Sequence, residues 1–455
     1  MNQHIITLAA LGPDDGQMLT LGAKAALCGA EHLVLRTERH GAADLLRQEG
    51  VAFETLDALY DECEDFDELC ELAAEKLIAL SREHASLCYA VSEPQSDATV
   101  RYLARMLPDD VKLRAAAGVS LADAAACAVL PFGVNTENLR TLTSLSTEEL
   151  RPSADCPQVI TEIDTRYIAS AVKLWLSDLF EDEMTVYFLE NAAQLDAEAR
   201  PILLCDLDRQ PHYDHRTALL VPAVSVYERS RATYEDFVGI VRRLRAPGGC
   251  PWDRAQTHHS LRRYMIEEAC EAAEAMDGDE PMKIADELGD VLYQVVLNSA
   301  VGADHRDFTD RDVTSMAAHK MISRHVHVFG KAKADNAEQV NALWEKVKNQ
   351  ERGGQTVLER VEDVAVTLPA LMRGQKVVRR EAGAKGETLE TAAILAKLSE
   401  QASGLSEPDR AEAALGDMLE SLCALAEAKG LDAETALRAA TDRRIEKIRH
   451  KSEKE

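Results

Sequence analysis

No two cysteines in this chain stand as Cys-x-x-Cys, and none of the ten groups with histidine at zinc-binding spacing. A disulfide scaffold and a zinc module are therefore excluded. Scattered thiols in a chain of 455 residues fit a reducing compartment. No apolar run approaches the ~18 to 20 residues that span a bilayer. The opening MNQHIITLAALG also lacks the basic start and long apolar run of a signal peptide. A cytoplasmic protein with no membrane partner is expected. Positive charge is scarce as well: 51 Lys and Arg face 79 Asp and Glu, a net charge of -28. A nucleic-acid backbone would be repelled over most of such a surface. A small polyphosphate is not excluded, because it arrives with a divalent cation and needs only a local basic patch. Aromatic residues are few, at 5%, and the abundance of Ala leans the composition towards helix.

A chain of this length calls for two or three domains. In the first half, short apolar runs (IITLAALG, EHLVLRT, VAFETL, LCYAVS) alternate with amphipathic stretches such as DELCELAAEKLIALSREH. The rhythm resumes after Pro152 with CPQVITEI, MTVYFLE, PILLCDL and ALLVPAV. Such alternation predicts an α/β region with a mainly parallel sheet. The polar, turn-rich segment Pro131–Pro157 reads as a join between two lobes. After Tyr227 the apolar spacing becomes three and four, so the remainder is expected to be helical, interrupted by the loop RAPGGCPWDRAQTH. ERGG at Glu351–Gly354 reads as a hinge. An internal echo follows: ELGDVLYQVVLNSA at Glu287–Ala300 aligns with ALGDMLESLCALAE at Ala414–Glu427. Glu287 corresponds to Ala414, and nothing like EEACE precedes the second copy.

Between Glu267 and Asp290, 10 of 24 residues are acidic. Residues three apart share a helical face, which pairs Glu268 with Glu271 and Glu287 with Asp290. The intervening MDGDEPM carries Gly and Pro and should reverse the chain, so two antiparallel helices can bring four carboxylates together. Acidic pairs occur on nearly every soluble helix, and the spacing alone is a weak signal. Asp290, however, leads into the apolar run LGDVLYQVV and is expected near a core. Clustered carboxylates repel one another unless cations neutralise them, and hard divalent ions, Mg²⁺ or Mn²⁺, suit oxygen ligands. Glu274, Asp277, Asp279 and Glu280 lack that context and are assigned to solvated surface.

These residues resemble a family signature. EEACE followed by ADELGDVLYQVV is similar to the E-E-x-x-E … E-L-G-D signature of MazG-type nucleoside triphosphate pyrophosphohydrolases. GGCPWDRAQTHHSLRRYMIEEACE, HKMISRHVHVFG and NALWEKVKNQER resemble the family's other segments, in order, across roughly Tyr234 to Arg352. The resemblance implies an all-α fold, usually homodimeric, that cleaves nucleoside triphosphates to monophosphate and pyrophosphate with Mg²⁺. It implies Glu268, Glu271, Glu287 and Asp290 as metal ligands and catalytic residues, with Glu267 orienting a ligand or water behind them. Lys320 and Arg324, four apart, would grip phosphate oxygens. Trp344 and Lys348, also four apart, would offer a ring for the base and an ammonium for a phosphate. Trp252 and Asp253 are read as structural, and His258 and His259 as helix-start residues.

Residues 1–226 resemble the tetrapyrrole methylase family through ITLAALGPDDGQMLTLGA, AEHLVLRT and GVSLADAA, which implies two α/β lobes with S-adenosylmethionine (SAM) between them. The glycine-rich turn of that family is reduced to Gly12, with Ala10 before it and Asp14 after it. Its P-G-x-P loop reads VSEPQSDA, with Ser92 and Glu93 replacing Pro and Gly. Glycine there lets backbone approach a cofactor, and a carboxylate crowds it, so SAM is not expected. The expected organisation is a methylase-like α/β domain at 1–226, a MazG-like all-α catalytic domain at 227–352 and a degenerate second copy at 353–455. The expected activity is Mg²⁺-dependent nucleoside triphosphate pyrophosphohydrolysis in nucleotide-pool housekeeping. A SAM-dependent methyltransferase and a non-catalytic nucleotide sensor are the alternatives.

Overall fold

The computed structural model describes residues 3–13, 16–63, 65–351, 353–406 and 409–453. Asp14 of the glycine-poor turn and Arg352 of the expected hinge lie outside them. The chain forms two compact units, Met1–Asp307 and Phe308–Glu455. This division falls within the span expected as one helical domain, at neither 226 nor 352.

The first unit begins with strands β1 (His4–Ala10), β2 (His32–Leu35), β3 (Glu54–Thr55), β4 (Leu87–Val91) and β5 (Val111–Ala116). They form one sheet in the order β3-β2-β4-β1-β5, parallel throughout. Helices α1 (Leu21–Gly29), α2 (Gly41–Gln48), α3 (Asp57–Glu62), α4 (Phe66–Glu83) and α5 (Ala98–Met106) complete the crossovers. Successive strand residues point to opposite faces, and two cores result. Ile6, Leu8, Leu87, Tyr89 and Val91 pack with Leu77 and Leu103. Ala9, Leu11, Cys88 and Ala90 pack with Leu27 and Leu46 on the other side.

Helix α6 (Leu121–Ala128) leads to a second lobe of β6 (Arg140–Thr143), β7 (Gln158–Thr161), α7 (Arg166–Leu176), β8 (Thr185–Leu189), β9 (Arg200–Leu203) and β10 (Ala218–Val221). Its order is β6-β7-β10-β8-β9, and only β6 and β7 run parallel. The expectation of a mainly parallel sheet thus holds for the first lobe alone. In the second, short turns such as Asn191–Glu198 join antiparallel neighbours, which need no crossover helix. The turn-rich segment Pro131–Pro157, expected to join the lobes, lies within the second one, where it supplies edge strand β6; the chain crosses between lobes earlier, between β5 and α6, whose Ala122 and Ala125 already pack on the second sheet. PILLCDL is a strand only to Leu203, then a 3-10 helix from Leu204 to Arg209.

Past β10 the first unit is helical: α8 (Tyr234–Arg245), α9 (Pro251–Ala255), α10 (His258–Gly278) and α11 (Pro281–His305). The loop RAPGGCPWDRAQTH contains α9, contrary to expectation, because Pro251 sits at its first position, where the missing N–H costs nothing. Val238, Val241, Leu261, Val296, Leu297, Ala300 and Val301 form the core. The second unit holds α12 (Asp310–Arg324), α13 (Ala337–Glu351), α14 (Val357–Glu362), α15 (Ala370–Lys385), α16 (Thr391–Gly404), α17 (Ala411–Ala428) and α18 (Ala433–Ser452). The paired α16 and α17 repeat the α10–α11 hairpin, as the sequence echo predicts. Among the described residues no helix is long and apolar enough to cross a membrane.

Candidate metal centre

Helix α10 starts at a capping box. The Thr257 hydroxyl accepts from the Ser260 amide, while the Ser260 side chain accepts from the Thr257 amide. His258 and His259 are its first residues, as read from the sequence, and His258 Nδ1 lies 2.9 Å from the Asn298 side-chain oxygen. At the far end Asp279 takes a left-handed conformation, φ 54°, a region that Asp tolerates better than most residues. Pro281 then opens α11. The reversal is therefore only two residues long, and α11 folds back along α10.

That tight hairpin sets which carboxylates meet. Glu268 precedes Asp279 by 11 residues (279 − 268), and Asp290 follows Glu280 by 10 (290 − 280), so the two lie nearly level across the pair. Carboxylate oxygens of Glu268, Glu287 and Asp290 all come within 4.8 Å of one another. Glu271 lies one turn closer to the reversal and does not belong to that trio. Its charge still acts on Glu268, whose carboxyl is held above its usual range. Partial burial is the largest cause, followed by the charges of Asp290, Glu271, Glu267 and Glu287. Four acidic neighbours thus surround one half-buried carboxylate. Glu267 is exposed and acts on Glu268 and also on Arg263. Glu274, Asp277, Asp279 and Glu280 are exposed, as expected of solvated surface.

Asp290 corrects one expectation, since it is exposed rather than near a core. The buried residues of α11 run from Gln294 to Gly302, one turn further on. The trio therefore sits where the hairpin leaves its core, half-screened from water and open on one side. Such a set of hard oxygen donors fits a divalent cation. Three like charges this close repel one another, and a bound cation would relieve that repulsion.

The four other candidates belong to the second unit. Lys320 is exposed on α12, and Arg324 closes that helix, half-buried. Trp344 and Lys348 share a face of α13, with the Lys348 Nζ 5.5 Å from the indole centre. His325 packs against the same ring at 5.3 Å, tilted by 55°, and His327 lies 5.7 Å from His325. The four-residue spacing signals Trp344 with Lys348, but no spacing rule adds His325 and His327, which lie beyond α12 while the indole is on another helix.

Asp253, read as structural, is 4% exposed and accepts a hydrogen bond from the Tyr293 hydroxyl at 2.5 Å. In the α/β part, the loop after β4 turns Glu93 inward. Its carboxylate accepts from the Leu121 amide of α6 at 2.7 Å, tying the first lobe to a helix packed on the second sheet. Burial raises the Glu93 carboxyl above its usual range, the Leu121 amide opposing and Asp123 reinforcing it.

Residues 256–329 match the MazG nucleotide pyrophosphohydrolase domain. The uncharacterized protein YabN of Bacillus subtilis is 32% identical over 375 residues, covering 82% of this chain and 76% of YabN. The nucleoside triphosphate pyrophosphohydrolase/pyrophosphatase MazG of Thermotoga maritima is 34% identical over 223 residues, 48% of this chain and 86% of that protein. Among solved structures, a uroporphyrin-III-C-methyltransferase from Thermus thermophilus aligns with 49% of this chain and 95% of its own, at a TM-score of 0.39 and 18% identity.

Proposed function

This chain belongs to the MazG nucleotide pyrophosphohydrolase family, and we propose that it hydrolyses nucleoside triphosphates to monophosphate and pyrophosphate in a Mg²⁺-dependent reaction. The observation that carries this reading is the convergence of Glu268, Glu287 and Asp290 within 4.8 Å. Those three carboxylates, with Glu271 beside them, would hold the cation. Mn²⁺ is a second candidate of the same ligand chemistry. A bound divalent ion neutralises phosphate oxygens and lowers the pKa of a coordinated water. The chain's own part is to place that charge at one spot and to leave one side open for the substrate. Glu267 orients a ligand or water through its neighbour Glu268. On the second unit, Lys320, Arg324 and Lys348 are the candidate phosphate contacts, with Trp344 a candidate for the base.

The α/β domain does not fit SAM in this reading. The Glu93 carboxylate fills the end of the β4 loop and is bonded across to Leu121, where a cofactor would need open backbone. We assign the α/β part no methyl transfer. On the helical hairpin Ile266, Leu288 and Leu292 are 48%, 45% and 40% exposed, which supports a homodimer formed through the helical region. The net charge of -28 supports a partner set without nucleic acid. We infer a role in nucleotide-pool housekeeping in the cytoplasm.

The test is a panel of canonical and oxidised nucleoside triphosphates with Mg²⁺ or Mn²⁺, scored for pyrophosphate against orthophosphate. Pyrophosphate release should vanish in Glu287→Ala and Asp290→Ala with circular dichroism unchanged. Release at the wild-type rate in both variants would end the proposal. Metal-dependent binding without any product would make the chain a sensor instead.

A further inference from the structure

Gln294 is the first buried residue of α11 and only 3% exposed, yet its side-chain oxygen accepts no hydrogen bond among the described residues. The polar side chains one turn further along the same helix are satisfied. The Ser299 hydroxyl donates to the Val295 carbonyl at 2.9 Å, and the Asn298 amide donates to the Gln294 carbonyl at 2.8 Å. A buried acceptor left without a partner costs about 1–3 kcal/mol. Leu or Met at this depth would avoid that cost, so packing alone gives no reason for an amide here.

Its place on the helix supplies one. Glu287, Asp290, Gln294, Leu297 and Val301 follow one another at spacings of three and four, which makes them one stripe of α11. The stripe opens with two carboxylates of the trio and closes with Leu297 and Val301 in the core. Gln294 stands at the boundary, four residues past Asp290 and roughly 6 Å along the axis at 1.5 Å per residue. Helical side chains lean towards the helix N-terminus, which directs this amide back to the trio. Water reaches the trio from the exposed Asp290 side, and Gln294 is the polar group on the opposite, core side. Mg²⁺ held by carboxylates keeps several waters, and a water with two or more polar partners is what satisfies a buried amide oxygen.

We propose that Gln294 is a positioning residue of the metal centre, its amide oxygen accepting from a water on the core side of the cation that Glu268, Glu287 and Asp290 hold. The proposal rests on the metal centre of the hydrolase reading above. It is tested on the full chain with Mn²⁺ alone, free and bound ion being told apart by electron paramagnetic resonance, and with melting temperatures in metal-free buffer. Gln294→Met keeps the length of the side chain and removes the acceptor. Its dissociation constant for Mn²⁺ should rise roughly 10- to 100-fold, as loss of an indirect partner of a metal site does. Its metal-free melting temperature should equal or exceed the wild type's, because no acceptor is left unpaired. Gln294→Glu keeps an acceptor and should bind Mn²⁺ at least as tightly as the wild type. Unchanged Mn²⁺ affinity in Gln294→Met, a lower metal-free melting temperature in that variant, or weakened binding in both variants overturns the proposal. Pyrophosphate release by the wild type then leaves the hydrolase reading standing. The expected Mn²⁺ results without pyrophosphate release by the wild type overturn the hydrolase reading and keep Gln294 in the metal centre. A wild type that binds no Mn²⁺ overturns both.

Discussion

The Tyr293 hydroxyl donates to the buried carboxylate of Asp253 at 2.5 Å, and this bond ties α9 to α11. Tyr293 stands three residues beyond Asp290 on the same helix, and Asp253 follows Trp252. One hydrogen bond therefore couples the Trp252 turn to the helix that carries two of the three converging carboxylates. The Asp253 carbonyl, in turn, accepts from the Arg245 guanidinium, and Arg245 also pairs with Asp304 at 2.6 Å. The PWD turn is held from both sides.

Tyr293→Phe leaves the Asp253 carboxylate buried without that donor. Such an orphaned acceptor costs about 1–3 kcal/mol, and chemical denaturation should show a loss of that size. Asp253→Asn restores a neutral partner and should lose less in the Tyr293→Phe background than alone. Equal stability of Tyr293→Phe and the wild type would mean that the bond contributes nothing.

Replacing a member of the trio should separate stability from activity. Glu287→Gln removes one of the charges that raise the Glu268 carboxyl. In metal-free buffer at neutral pH its melting temperature should therefore exceed the wild type's. Pyrophosphate release should fall by roughly 10²-fold or more, since even indirect partners of metal ligands are worth 10–100-fold. A variant that is less stable without metal would show that the cluster is not held under repulsion.

Divalent cation should reverse that order. An ion bound only by the folded chain stabilises it by about 2.7 kcal/mol at 100 times its dissociation constant. Adding Mg²⁺ should raise the wild-type melting temperature, EDTA should lower it, and Glu268→Gln should respond to neither. Calorimetric titration with Mg²⁺ gives the same answer directly, through heat that the variant lacks.

Glu93 makes a pH prediction of definite sign. Its carboxyl is raised above the ordinary 4.5, burial being the main cause. A group that holds its proton more tightly when folded contributes stability below its unfolded pKa, and that contribution is lost as pH rises through the raised value. Glu93→Gln keeps an oxygen for the Leu121 amide and has no proton to lose. Its melting temperature relative to the wild type should rise as pH climbs above about 4.5. Parallel curves for the two proteins would show that Glu93 is not held in this way.

Much of the candidate site was legible because its signals are local. The i,i+3 spacing of Glu268 with Glu271 and of Glu287 with Asp290, and the Gly and Pro between them, are facts about one short stretch of helix and turn. The same holds for β1 and β4, whose apolar runs suit a strand buried on both faces. Edge strand β6 was missed because RTLT sits among polar turn residues, and an edge needs little apolar character. α9 was missed because Pro251 reads as a helix breaker until its place at the first helical position is known.

The order of residues by itself determined that strands give way to helices after Tyr227, that a hairpin follows Glu267, and that the second copy lacks its acidic set. Those properties depend on neighbours within a few residues, where backbone preference and side-chain period act. Only tertiary structure decided that Glu268 meets Glu287 and Asp290 while Glu271 stands a turn away, that Asp290 faces water, and that Gln294 is buried. Those outcomes depend on how two helices align across a two-residue reversal and on which segment of α11 enters the core, and no local rule along the chain encodes either.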